Sequence, residues 1–368
     1  MNRPQASMLP DGRRLHLNHG PIDLVIEAFG AADERQRAYR QAVDRFGTVL
    51  DELVAELTML RQPAGARARR FRGAVAQRME DAVSPFSERF VTPMAAVAGA
   101  VADEMLAAMI AGRTLERAYV NDGGDIAIFL AEGEEMKAAI AGTGHGFDGR
   151  VTIRAQHAVR GIATSGWRGR SHSLGIADAV TVLASSGAAA DAAATLIANA
   201  VDLPGHEGVT RARAVDLAPD SDLGERLVTT GVPALSSEEV AEALGRGLAA
   251  AEEFRRRGLI AAAALFLQGE GRSCGRLAPP LSQASSPSPS PGYAPSGPFG
   301  PPRFAGGGTA VAAVLGLAPP PFTGGGRPPE GVCRNPWIFQ GAERSYRYLE
   351  LVQGGIECLI LPSARSRF

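Results

Sequence analysis

The chain has 368 residues, 45% of them apolar, which is enough material for one large or two ordinary domains. Its 38 basic and 39 acidic residues nearly cancel, so no overall positive field favours nucleic acid or an anionic membrane as a partner. The polar N-terminus lacks the apolar core of a secretory signal, and the longest apolar runs are too short to cross a bilayer. We therefore expect a soluble, cytoplasmic protein.

The first part of the chain predicts one strand and one long helix. Residues 1–14 are polar and contain two prolines, so we expect a flexible N-terminus. Apolar residues alternate with other residues over 22–26, which is the pattern of a half-buried strand. Over 39–60 they recur every three or four positions, which predicts a helix that Pro63 ends. The arginine-rich stretch 67–78 is interpreted as a solvated helix face, with a phosphate-binding patch as the alternative.

Helices rich in small residues alternate with strands in the middle of the chain. Thr92 followed by Pro93 is typical of a helix start, because threonine caps a helix and proline suits its first position. This predicts a helix over 94–108, and a similar composition predicts a second helix over 187–201. A charged amphipathic pattern predicts a further helix over 236–256. Strands are predicted over 119–121, 126–130, 151–155, 161–164 and 179–184.

Composition changes abruptly near residue 275. The stretch 276–330 holds 14 of the 25 prolines and only four charged residues. Such a segment cannot bury enough apolar surface to offset the entropy lost on ordering. We therefore predict a folded domain over 15–272, a disordered linker rich in Pro, Gly and Ser over 273–336, and a short tail of unknown role over 337–368.

The most informative segment for chemistry is the alanine-rich run around Asp191. Asp191 and Thr195 are four residues apart on a predicted helix, so the carboxylate and the hydroxyl lie on one face. Hard oxygen ligands of this kind suit Mg²⁺, whose remaining positions are filled by phosphate and water. The alternative is an alanine-rich helix that places an aspartate in its first turn, where the helix dipole favours negative charge.

Two glycine-containing segments are further candidates for ligand binding. The paired glycines in Asn121-Asp122-Gly123-Gly124-Asp125 expose backbone N–H groups that could cradle a phosphate, although a plain hairpin turn has the same signature. The stretch 161–170 ends a strand in two hydroxyls, a glycine and two arginines, which is a phosphate-binding composition or a polar surface loop.

Asp178 stands in an otherwise apolar run. Burial of an unpaired carboxylate is costly, so Asp178 should have a cation, a metal or a hydrogen-bond donor as partner, unless it faces water at a strand entrance. The six histidines lack metal-ligand spacing and are interpreted as structural.

Taken together, these segments resemble the ApbE-like superfamily, whose best-known members are FAD:protein FMN transferases. The likeness is closest to its uncharacterised cytoplasmic branch. It covers roughly residues 10–272, and no part of it lies beyond Gly275. The matching segments, in family order, are 92–103, 120–126, 163–166, 175–182 and 190–195.

The resemblance implies a set of site residues and cofactors. Asp191 and Thr195 would be ligands of Mg²⁺, which grips the pyrophosphate of FAD. The predicted contacts of the flavin nucleotide are Gly99, Asn121, Gly123, Gly124, Thr164 and Ser165. An acceptor flavoprotein would supply the threonine hydroxyl that is modified, and a homo-oligomer is left open.

Departures from the family pattern bear on catalysis more than on binding. The transferases carry a Lys-Gly pair where this chain has Ala98-Gly99, and a His-containing motif where it has Gly175-Ile176-Ala177-Asp178. Asp178 is the remaining candidate for a catalytic base. The resemblance therefore implies a flavin-nucleotide-binding protein with FMN transfer as its activity. The alternatives are a non-catalytic flavin-binding or assembly module for a redox enzyme, and an enzyme for another phosphorylated substrate. The expected fold is α+β (T-fold-like), with a mainly antiparallel sheet packed by helices.

Overall fold

Alternating apolar residues build one large sheet in the computed structural model, which describes residues 3–140, 149–275 and 357–359. Nine strands pair in the order β1-β2-β3-β4-β5-β8-β9-β12-β13, and every neighbouring pair is antiparallel. These strands are β1 Gln5–Met8, β2 Leu15–His19, β3 Ile22–Phe29, β4 Arg117–Asp122, β5 Asp125–Leu130, β8 Gly161–Ser165, β9 Ala179–Ala184, β12 Ala262–Leu267 and β13 Glu270–Cys274. The predicted α+β fold with a mainly antiparallel sheet is confirmed.

Two small sheets accompany the large one. Strands β6 (Glu135–Ile140) and β7 (Gly149–Arg154) pair antiparallel, and β14 (Glu357–Leu359) adds to β6 in parallel. Strands β10 (Thr210–Arg213) and β11 (Leu227–Gly231) form a separate hairpin. Except for residues 273–275 and β14, the predicted linker and tail lie outside the described residues.

The helices cover one face of the large sheet. They are α1 Ala32–Leu60, α2 Ala74–Val83, α3 Val97–Ile110, α4 Gly187–Ala200, α5 Ala214–Leu217 and α6 Ser237–Arg256, with 3₁₀ turns at Ser84–Phe86 and Pro93–Ala96. Helix α6 begins with a capping box, in which Ser236 and Glu239 satisfy each other's backbone N–H groups. Since an isolated amphipathic helix is marginal in water, packing against the sheet supplies most of the stability of these helices.

Side-chain alternation separates two cores on opposite faces of the large sheet. Ala127, Ala163 and Val182 belong to the core beneath the helices. Their strand neighbours Ile126 and Ile162 belong to a second core, which β6 and β7 close from the other side. Successive residues of a strand in this sheet therefore face the helix side and the β6–β7 side in turn.

The sheet consists of two halves of the same design. In each half, two strands are followed by helices and then by two more strands: β2-β3, α1 to α3, β4-β5 in the first, and β8-β9, α4 to α6, β12-β13 in the second. The halves join where β5 pairs with β8 and where α3 packs against α4. The sequence has no repeat that indicates this arrangement.

Several predicted features differ in the structure. Residues 5–8, assigned to a flexible N-terminus, form β1. The arginine-rich stretch 67–72 is not helical, and Arg69 forms an ion pair with the buried Glu80 of α2. Thr92 does not cap the helix that follows it, because its hydroxyl donates to the carboxylate of Asp222 instead. Strand β13 continues two residues past the predicted domain end.

One segment, Pro93–Ile110, is long and apolar enough to span a membrane by length and composition. Half of it is buried in the fold, where α3 packs against α1, α4, β4 and β5.

Candidate functional site

The first part of the candidate site is the hairpin between β4 and β5. Asp122 and Asp125 are paired across the strands, and Gly123 and Gly124 form a two-residue turn with φ of 64° and 120°. These positive φ values are open to glycine at little cost. The Asn121 side chain accepts a hydrogen bond from the Gly124 N–H at 2.9 Å and so closes the turn. The segment is a hairpin turn, and phosphate binding by its backbone N–H groups stays a prediction.

The second part is the contact between α3 and α4. A Cβ at Gly99 would lie 2.2 Å from the carbonyl oxygen of Gly187, so only glycine fits there. Gly187 in turn lies against the backbone of Gly99, and a Cβ at Gly161 of β8 would lie 1.9 Å from the carbonyl of Ser186. The space beside Gly99 is therefore filled by α4, and close helix packing explains this glycine.

Each of the two helices caps the other with an aspartate. Asp191 of α4 accepts a hydrogen bond from the Gly99 N–H at 3.0 Å, in the first turn of α3. Asp103 of α3 accepts from the N–H groups of Gly187 and Ala188, at 2.8 and 2.9 Å. Because 99 meets 191 and 103 meets 187, the helices are antiparallel, and each first turn lies beside the second turn of the other.

The reciprocal caps change the interpretation of both aspartates. The first N–H groups of α4 are satisfied by Asp103 and by the Ser186 hydroxyl, so they are not open to a ligand phosphate. Sequence reasoning missed the role of Asp103. The signal was present, because both helices carry a glycine and an aspartate four residues apart, Gly99 with Asp103 and Gly187 with Asp191.

Three carboxylates gather at the end of the sheet beside the first turn of α3. Burial, together with the negative charge of Asp125, raises the pKa of Asp122 to about 8. Burial also raises the pKa of Asp125 to about 7, against a hydrogen bond from the Thr164 N–H that lowers it. The pKa of Asp191 is raised by burial and by the charges of Asp125 and Asp122. Ionisation of all three carboxylates together would therefore require more positive charge at this end of the sheet than Arg170, which acts on Asp122, supplies.

Thr164 and Ser165, the predicted contacts at the end of β8, face opposite sides of the sheet. The Thr164 hydroxyl shares a hydrogen bond of 2.9 Å with the hydroxyl of Thr181, on the β6–β7 side. Its backbone N–H, in contrast, donates to Asp125. Ser165 alternates with Thr164 and so lies on the helix side with Ala163. Of the two hydroxyls, only that of Ser165 faces the side on which the carboxylates lie.

Asp178 is buried and fully engaged. Its Oδ1 accepts from Arg168 Nε at 2.9 Å and from the Trp167 indole at 3.2 Å, and its Oδ2 accepts from the Gln268 N–H at 2.6 Å. The expectation that a buried acid here has a cation or donor as partner is confirmed. Asp178 lies against the β12–β13 turn, and its partners belong to other elements than those of the three gathered carboxylates.

Position 175, where the transferases carry part of a histidine motif, has no room for a side chain. A Cβ at Gly175 would lie 2.1 Å from the carbonyl of Ala198 and 2.7 Å from that of Val201. The segment is fixed there because the Asn199 side chain accepts from the Leu174 N–H at 2.9 Å. The departure from the family pattern is thus built into the packing of the C-terminal turn of α4.

Arg168 and Arg170, the two arginines of the 161–170 segment, have different surroundings. Arg168 pairs with Asp178 and stacks on Trp167, with its guanidinium carbon 4.9 Å from the ring centroid. Arg170 reaches across the end of the sheet and donates to the Pro21 carbonyl at 3.2 Å. Its positive charge lowers the pKa of Asp122, against the larger effect of burial.

The predicted site residues therefore fall into two groups. The elements that meet at the carboxylates carry most of them: Gly99, Asn121, Gly123, Gly124, Thr164, Ser165 and Asp191. Thr195 is half-buried one turn after Asp191, on the helix that packs against Pro93–Ala96. Asp178 is separate from them. Within the described parts of the chain, no three His, Cys, Asp or Glu side chains form a metal-ligand set by themselves.

Comparison with known proteins gives a family match over the whole described domain. The model of the family described as AbpE bacteria matches residues 6–273. The UPF0280 protein of Methanopyrus kandleri is 32% identical over 194 residues, which are 53% of this chain and 74% of that protein. The match ends one residue before the end of β13, so it excludes the proline-rich stretch.

Other relatives match shorter regions. The UPF0280 protein of Methanococcoides burtonii is 40% identical over 33% of this chain and 51% of that protein. That of Methanothrix thermoacetophila is 40% identical over 30% of this chain and 46% of that protein, so the chain spans about half the length of these two relatives. Among solved structures, the apo form of the flavinyl transferase ApbE of Pseudomonas stutzeri matches with a TM-score of 0.40 and 12% identity, over 74% of this chain and 95% of that one.

Proposed function

The chain belongs to the family described as AbpE bacteria, within the ApbE-like superfamily, and we propose that it binds a flavin nucleotide together with Mg²⁺. The proposed site is the end of the sheet where α3, the β4–β5 hairpin, β8 and α4 meet. The observation that carries the proposal is the cluster of Asp122, Asp125 and Asp191, whose pKa values burial raises, so that ionisation of all three together would require a nearby cation.

The donor set fits a hard divalent cation. Carboxylate and hydroxyl oxygens are the ligands that Mg²⁺ prefers, and Mg²⁺ usually takes one or two from protein and the rest from phosphate and water. Asp191 and Thr195 would hold it. A hydrogen bond from Gly99 uses only part of the acceptor capacity of the Asp191 carboxylate. When bound, Mg²⁺ would supply the positive charge that neutralises the carboxylates and the ligand pyrophosphate.

Two observations favour a binding or assembly module over a transferase as the second candidate function. Asp178, the predicted base, would have to leave its ion pair with Arg168 before it could accept a proton. Gly175 has no room for the histidine that the transferases carry nearby. FMN transfer by this chain is thus the more demanding proposal. An acceptor flavoprotein, a homo-oligomeric state and a cytoplasmic location remain predictions from the sequence.

The test is a titration of the full chain with FAD, with and without Mg²⁺, that follows flavin fluorescence and the release of AMP. We expect Mg²⁺-dependent binding that is weakened at least tenfold in Asp191→Asn and in Thr195→Val. Asp44→Asn removes an exposed carboxylate on α1 and serves as the matched control. AMP release would indicate transfer, and binding without AMP would indicate the module. If the wild-type chain binds FAD neither with nor without Mg²⁺, the proposal is wrong.

A further inference from the structure

The loop after β8 crosses the end of the sheet and ends at the proposed site. This loop, residues 166–172, is called the strap here. Its first part is fixed, because the Trp167 N–H donates to the Ala177 carbonyl at 2.9 Å and both Trp167 and Arg168 donate to Asp178. Gly166 is locked against the same segment, since a Cβ there would lie 2.3 Å from the Asp178 carbonyl. Asp178 thus acts as the anchor of the strap.

The far part of the strap places Arg170 over the β4–β5 hairpin. The guanidinium donates to the Pro21 carbonyl at 3.2 Å, in the turn between β2 and β3. A side chain at Gly123 would approach Arg170 Nη1 at 3.5 Å, so the guanidinium lies directly above the glycine turn. The strap therefore leads from β8 to the β4–β5 hairpin, and its arginine acts on Asp122, one of the three carboxylates.

Arg170 keeps most of its hydrogen-bonding capacity free. A guanidinium has five N–H donors in a planar fork that matches phosphate. Within residues 3–140 and 149–275, the bond to Pro21 is the one hydrogen bond that the Arg170 guanidinium makes. Arg170 is exposed to solvent, whereas Asp122, on which the charge of Arg170 acts, is buried. An exposed guanidinium that is held against the Pro21 carbonyl, above the glycine turn, is available to a negatively charged ligand group.

We propose that Arg170 binds a phosphate of the flavin nucleotide and makes the site select phosphorylated flavins over riboflavin. This inference rests on the proposed function and adds a residue and a ligand class to it. The charges divide accordingly: a bound cation faces the carboxylates, and the phosphate faces Arg170. Without Arg170, a phosphate at this end of the sheet would meet three carboxylates and the cation alone.

The competing interpretation is that Arg170 serves only as a counter-ion for Asp122. The two differ in what the loss of Arg170 does to different ligands. A counter-ion role affects every ligand of the site alike, because it acts through the hairpin. A phosphate contact affects FMN and FAD, and it leaves riboflavin, which has no phosphate, unchanged.

The experiment measures the Kd of FMN, FAD and riboflavin for the full chain in the presence of Mg²⁺, with wild type, Arg170→Gln and Arg170→Lys. A charge-assisted hydrogen bond is worth about a 10- to 100-fold change in affinity. We expect Arg170→Gln to weaken the binding of FMN and FAD by this factor and the binding of riboflavin by less than about twofold. Arg170→Lys should have an intermediate effect on FMN and FAD, because lysine keeps the positive charge but lacks the planar fork of donors. Arg256→Gln, at an exposed arginine in the last turn of α6, is the control, and thermal unfolding checks that all variants fold.

The remaining outcomes overturn the inference in distinguishable ways. If Arg170→Gln binds all three ligands as wild type does, Arg170 makes no phosphate contact and the proposed function still stands. If Arg170→Gln weakens the binding of riboflavin as much as the binding of FMN, the counter-ion interpretation is correct. If wild type binds none of the three flavins, the proposed function fails and this inference fails with it.

Discussion

The buried carboxylate of Asp122 makes the stability of the ligand-free protein depend on pH, and Asp122→Asn tests this. The pKa of Asp122 is about 8 in the fold, against an ordinary value of 3.8. Between these two values the folded protein holds a proton at Asp122 that the unfolded chain has lost. The contribution of Asp122 to the free energy of unfolding is therefore largest at low pH, and it falls as pH rises toward about 8.

The size of the effect follows from one proton. A difference of one bound proton changes the free energy of unfolding by about 1.4 kcal/mol per pH unit. Asparagine has nearly the same shape as aspartic acid but does not ionise. The free energy of unfolding of Asp122→Asn therefore lacks the fall with pH that Asp122 causes in wild type. The stability of Asp122→Asn relative to wild type should therefore increase by about 1.4 kcal/mol for each pH unit between about pH 5 and 7, and level off above pH 8.

The assay is urea unfolding of the full chain in chelator at pH 5, 6 and 7. Any hydrogen bond that asparagine makes less well than aspartate shifts the whole curve without changing its slope. Asp44→Asn, at an exposed position on α1, should give a curve parallel to wild type. If Asp122→Asn also runs parallel to wild type from pH 5 to 7, Asp122 is not protonated in the fold and the reasoning is refuted.

Three further predictions concern the helix contacts and are checked by urea unfolding at pH 7. Gly99→Ala should destabilise the protein by about 3 kcal/mol, because its Cβ would lie 2.2 Å from the Gly187 carbonyl oxygen. Gly245→Ala in α6 has no atom within 4 Å of its Cβ and should stabilise by about 0.5–1 kcal/mol, so equal effects would contradict the packing argument. Asp103→Asn should cost about 1–2 kcal/mol, since one of its two cap bonds meets an amide donor; no loss would mean that water replaces the cap. Ser236→Ala should cost about 1 kcal/mol through loss of the capping box, and an unchanged midpoint would contradict that role.

Helices and strands whose apolar residues recur at a regular spacing were predictable from the sequence, and exposed elements without such a spacing were not. The helix over 39–60 and the strand at 22–26 were found because burial on one face imposes a regular apolar spacing. Strand β1, Gln5–Met8, is exposed along its length and carries no such spacing. Strand β2, in contrast, alternates from Leu15 to His19, so its signal was available and was overlooked.

The sequence predicted which segments of the chain form the candidate site, but it did not predict which contacts the individual side chains make there. The segments around Gly99, Asp122 and Asp191 do meet, because each carries small or turn residues that close packing requires. Their contacts were harder to predict, since the cap of Asp103 on Gly187 joins residues 84 positions apart and its one sequence signal is the Gly–Asp spacing that the two helices share. The choice between hydroxyls at 164 and 165 depends on the sheet face, which a short strand within an unknown topology does not reveal.

The reciprocal caps of α3 and α4 have a consequence for how the chain folds. Part of the first N–H groups of each helix is satisfied by the other helix, through Asp191 for α3 and Asp103 for α4. The two halves of the sheet therefore depend on each other at the seam that joins them. A fragment cut between the halves would leave both helix starts frayed and would expose Gly99 and Gly187 as flexible links. We therefore expect the two halves of the duplicated architecture to unfold together as one cooperative unit.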